Sequence, residues 1–114
     1  MKIYLVQPMT ARRDEVIDEE RARLVSCVRE NYPEAVIINE HRRPLDGRTH
    51  LQALACDLID MSNADLVLFC PGWKAARGCG IMHDCARAYS LKTAYIRPTS
   101  MKDRTEEAFE DDGN

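Results

Sequence analysis

The residues best suited to chemistry in this 114-residue chain sit in three clusters. Basic side chains gather at Arg12-Arg13, at Arg42-Arg43 with Arg48, and at Lys74 with Arg77, all in or beside segments that read as loops. Such placement suits a small anionic ligand, although a solvated surface accounts equally well for any one cluster. A helix start following Gly78 offers free N–H donors and a positive dipole end, so Thr10, Arg12 and the backbone of Arg77 and Gly78 are candidate contacts to an anion such as phosphate. Trp73, on a glycine loop, either contacts a ligand or covers the core edge. His83 reaches a pocket mouth or lies on the helix surface. Cys79, His83 and Cys85 are near one another, but their spacing matches no common zinc pattern, and no metal or other cofactor is expected.

Those residues need a scaffold, and apolar patterning supplies one. Ile3–Val6, Ala35–Ile38, Leu66–Phe69 and Thr93–Ile96 are short runs rich in β-branched and aliphatic residues, as in buried strands. Between them the spacing predicts helices over Asp14–Asn31, from an N-cap at Thr49 to about Ser62, and over about Gly80–Leu91. Strand and helix alternate four times with connections too long for hairpins. The expected fold is α/β, a Rossmann-like three-layer sandwich with a four- to five-stranded mainly parallel sheet. Ligands bind such sheets at the carboxyl ends of the strands, near the switch in strand order.

Composition narrows the class. The chain holds one domain, assigned to residues 1–98, and a 99–114 tail read as acidic and flexible, with a short helix near Glu106–Glu110 as the alternative. The net charge of −3 comes from that tail, since residues 1–101 carry 14 basic against 13 acidic side chains. Such a body is not basic enough to argue for nucleic acid. No run is long and apolar enough for a membrane span, and the first residues do not form a signal peptide, so a cytoplasmic location is expected. Five scattered cysteines form no Cys-x-x-Cys pair and read as reduced thiols. No G-x-G-x-x-G loop, Walker sequence or nucleophile elbow is present.

Several segments together carry a resemblance. Ile3-Tyr4-Leu5-Val6-Gln7-Pro8-Met9-Thr10, then Asp57-Leu58 with Ala64-Asp65, then Pro71-Gly72-Trp73 with Arg77-Gly78-Cys79 and His83 follow one another in order. Over about residues 1–98 this pattern resembles the nucleoside 2-deoxyribosyltransferase-like superfamily, in particular a small branch of unknown function common in phages and bacteria. The resemblance implies a Rossmann-like fold and cleavage of the N-glycosidic bond of a deoxynucleoside or its 5′-monophosphate. In those enzymes a glutamate at the start of the last helix attacks the anomeric carbon while an upstream aspartate assists. Asp57 matches the aspartate. The glutamate's place falls to Met82 in the favoured register, and to Asp84 in a register that needs a two-residue insertion.

The expected catalytic residues are therefore Asp57 and Asp84, with Gln7, Pro8, Met9, Thr10, Arg12, Trp73, Arg77, Gly78, Met82 and His83 around the substrate. Two functions follow from the resemblance: an N-glycosidase or deoxyribosyltransferase, or an inactive protein that sequesters a nucleotide because a thioether replaces the nucleophile. A redox or metal protein built on the cysteines ranks below both. The expected partners are a small nucleotide or nucleoside and a second copy of the chain in a homodimer or higher homo-oligomer.

Overall fold

The computed structural model describes residues 1–97 and the backbone of residues 109–111. Four apolar runs become parallel strands: β1 (Lys2–Val6), β2 (Val36–Ile37), β3 (Leu66–Phe69) and β4 (Thr93–Ile96). A fifth, β5 (Phe109–Asp111), pairs antiparallel with β4. The sheet order is β2-β1-β3-β4-β5, so the chain reverses direction of travel between β1 and β3. Ligands of open α/β sheets bind above that point. The strand at Phe109–Asp111 replaces both expectations for that stretch, a flexible tail or a short helix; the rest of the expected tail lies outside the described residues.

Side chains alternate along β1 and so divide the core. Ile3 and Leu5 pack with Leu24, Val25 and Val28 of α1 (Asp14–Asn31). Tyr4 and Val6 face the other layer, where Met61 of α2 (His50–Met61) and Cys79, Met82 and Ala86 of α3 (Arg77–Ala88) close over Phe69. Thr49 caps α2 as its sequence predicts. Its Oγ1 accepts the Gln52 N–H at 3.0 Å, and the Gln52 Oε1 accepts the Thr49 N–H at 2.8 Å. That reciprocal pair satisfies two donors which a helix start otherwise leaves open. No helix among the described residues is long and apolar enough to cross a membrane.

Two elements depart from the pattern. The second strand ends at Ile37, earlier than its apolar run, because Asn39 substitutes for it: the Asn39 Oδ1 accepts the Leu5 N–H at 2.9 Å and its Nδ2 donates to the Leu5 carbonyl at 2.7 Å. A side-chain amide thus continues the ladder that the backbone has left. The last helix begins at Arg77, three residues before the expected start, and ends at Ala88. Gly78 and Gly80 suggest a loop by composition, yet both lie within the helix.

Candidate functional site

The loops after β1 and β3 meet above the switch point. Gly72 adopts φ +86°, and a Cβ built there would lie 3.6 Å from the Pro8 ring. This contact brings Pro8, with exposed Met9 and Thr10, beside the Gly72–Arg77 segment. A short 3₁₀ turn (Trp73–Ala75) then leads into α3. Ala76, the N-cap, is extended and offers no side-chain hydrogen bond. The first-turn N–H groups of α3, on Arg77, Gly78 and Cys79, therefore have no capping side chain and lack intrahelical partners, with the positive end of the helix dipole behind them.

Below this opening lies Asp57, half-buried on the sheet-facing side of α2. The Tyr4 phenol is an electrostatic neighbour of its carboxylate. Burial raises the Asp57 pKa; the Arg43 guanidinium opposes that rise, and the neighbouring Asp60 charge adds to it. Burial, with Asp57 as the next cause, pushes the Tyr4 phenol up as well. The Cys79 thiol, on the first turn of α3, is pushed up to about 11 by burial and by the charge of Asp57. It stays a thiol at neutral pH, which rules it out as a ready nucleophile. Asp57 and the start of α3 are thus electrostatic neighbours.

The second carboxylate does not join them. Cys79, Met82 and Ala86 form the buried stripe of α3, with Met82 only 5% exposed. Asp84 is two residues from Met82, about 200° around the helix, and is exposed. Asp84 thus lies on the exposed side of α3, and the Met82 thioether lies where the helix faces the core.

Other expected contacts have structural duties. Gln7 is 4% exposed and has its amide fully engaged. Its Nε2 donates to the Ile17 carbonyl at 3.0 Å and to Glu20 Oε1 at 2.8 Å, while its Oε1 accepts from Arg21 Nε at 2.7 Å. It organises the loop after β1 and has no group left for a ligand. Arg12 binds the Pro8 carbonyl and Glu20, both at 2.8 Å, so it too holds this loop in shape. Trp73 stacks on His83 with centroids 4.3 Å apart and packs against Phe69 and Tyr95, and His83 Nε2 lies 2.6 Å from the Tyr95 hydroxyl. Trp73 covers the core edge at the β3–β4 end of the sheet. Of the expected contacts, Met9, Thr10, Arg77 and Gly78 are exposed, near the contact between Pro8 and Gly72.

Sequence reasoning passed over Tyr4 and Arg21. Tyr4 is the one hydroxyl-bearing ring in an aliphatic strand, and a buried phenol needs an acceptor. Arg21 occupies a core position of the α1 stripe, between Ile17 and Leu24, where a guanidinium is costly unless it serves a purpose. Both signals were readable. All five cysteines are free thiols, with Cys27, Cys70 and Cys79 buried. Comparison with protein-family models, with curated proteins and with solved structures finds no match to this chain.

Proposed function

We propose that this protein binds a nucleoside or nucleoside 5′-monophosphate above the β1–β3 switch point and does not cleave it. The observation that carries the reading is the setting of Asp57: a half-buried carboxylate near the Tyr4 phenol, beside an α3 N-terminus with no side-chain cap. A carboxylate of that kind suits a sugar hydroxyl or a base N–H, and the open N–H groups suit a phosphate. The resemblance to the deoxyribosyltransferase-like superfamily supports the same ligand class. Hydrolysis with retention needs two carboxyl groups about 5 Å apart. With Met82 buried and Asp84 turned outward, α3 does not supply the second one.

Self-association is part of the proposal. Leu51 and Ile59, 75% and 65% exposed, line one side of α2 and offer an apolar strip to a second copy. Light scattering that returns only a monomer at working concentrations removes this part.

The binding claim is tested by thermal-shift measurements with deoxynucleosides and their 5′-monophosphates, followed by chromatography of the same mixtures. Ligand at 100 times its Kd stabilises by about 2.7 kcal/mol, which for a domain of this size raises Tm by on the order of 10 °C. A rise with at least one nucleotide and no free base is expected. No response to any of them overturns the proposal, and released base overturns its second half.

A further inference from the structure

The α1 face of the sheet holds a feature that the proposed nucleotide site does not use. Arg21 is 4% exposed. Its Nε donates to Gln7 Oε1 and its Nη1 to the Asn39 carbonyl, both at 2.7 Å, and both acceptors are neutral. A guanidinium has five N–H donors, so three remain without a hydrogen-bond acceptor among the described residues. No described carboxylate comes within 4 Å of Arg21. Asp18 feels its charge but gives its oxygens to Arg42. The Asp57 charge reaches Arg21 only at a distance, so its open N–H donors have no charged acceptor in contact.

Arg21 is not sealed in. It lines a groove of about 510 Å³ between α1 and the loop that follows β2, and its Nη2 is not among the side-chain nitrogens that are both enclosed and unbonded. Ala22 and Ser26, one turn apart and exposed, keep the α1 wall low, while Val25 and Pro44 make it apolar. The other cations of the rim already have partners: Arg42 meets Asp18 at 2.8 Å and Asp14 at 3.7 Å, and Arg29 meets Glu40 at 2.6 Å. Arg21, at the base of the groove, has no carboxylate within 4 Å among the described residues.

We propose that this groove is a second binding site, for a singly charged organic anion: a carboxylate that meets Arg21 and an apolar body that lies along Ala22, Val25 and Pro44. The planar guanidinium matches two carboxylate oxygens side by side. Inorganic phosphate has no apolar body to lie along Ala22, Val25 and Pro44, so it meets only half of the groove.

Heteronuclear NMR titration of the whole chain with phenylacetate tests this, with 2-phenylethanol as the neutral isostere and inorganic phosphate as the anion without an apolar body. Saturable shifts at the amides of Ala22, Val25 and Ser26 are expected, with Kd at or below about 1 mM for a ligand this small. The alcohol is expected to bind at least about tenfold more weakly, the loss of one charged contact. Ala22→Tyr fills the groove from an exposed position, so the fold survives and phenylacetate binding falls by about tenfold or more. Absence of saturable shifts, an equal response to the alcohol or to phosphate, or undiminished binding by Ala22→Tyr overturns the proposal.

Discussion

Replacing Asp57 by Asn is expected to make the protein more stable at neutral pH and less able to bind nucleotide. Asn is isosteric, so the substitution removes charge and little else. Burial and the Asp60 charge together raise the Asp57 pKa more than Arg43, Tyr4 and Arg21 lower it. In the interval between the unfolded-chain value and the raised native value, the native state holds a proton that the unfolded chain has released. Stability therefore falls as pH rises through that interval, and above it the full cost of the charged form is present. Asn has no such cost. The gain at pH 7 is about 1 kcal/mol, the usual size when a functional group held against its own stability is removed, or a rise in Tm of about 4 °C. It should shrink as pH is lowered and vanish once the carboxyl is protonated in both states. Thermal denaturation of the two proteins from pH 7 down to pH 3 reads this directly. If the Asp57→Asn protein is instead less stable at pH 7, and the deficit disappears in acid, Asp57 is an anchor for Arg43 and Arg21 and the functional reasoning fails.

Other outcomes follow from single contacts. Thr49→Ala breaks the capping box of α2 and should cost about 1 kcal/mol in urea unfolding; an unchanged midpoint would mean the box contributes nothing. Gly80→Ala places a methyl group where no atom lies within 4 Å, in helical backbone, and should stabilise by about 0.5–1 kcal/mol. Gly78→Ala has the same open space, but it is expected to weaken nucleotide binding in the thermal-shift screen, because a ligand phosphate must approach that N–H. Asp84→Ala, on the exposed side of α3, should leave stability within about 0.5 kcal/mol and leave nucleotide binding unchanged; lost binding would return Asp84 to the site.

The sheet was legible because its strands are buried on both faces. Leu66–Phe69 and Thr93–Ile96 read as continuous apolar runs and appear with those bounds, and the long amphipathic helix Asp14–Asn31 does too. The start of α3 was not legible, since Ala76 caps it without a side-chain hydrogen bond and two glycines follow. The strand at Phe109–Asp111 was also missed, because acidic residues at a sheet edge give no apolar alternation to read. At the site, it was the resemblance to the deoxyribosyltransferase-like superfamily that pointed to Asp57 and the start of α3 as neighbours. Spacing could not tell that Gln7 and Arg12 spend their hydrogen bonds on the loop itself, or that Trp73 lies on His83. Those outcomes depend on what each side chain meets across the fold, and one chain read in order does not contain that.

The most direct test is an NMR titration with the four deoxynucleoside 5′-monophosphates, the solution then checked for free base. At least one of them is expected to shift the amides of Met9, Thr10, Gly72, Arg77, Gly78 and Cys79 together with that of Asp57, and to come through intact. Shifts confined to other parts of the chain, no shifts with any of the four, or liberated base would contradict nucleotide binding without cleavage at the switch point.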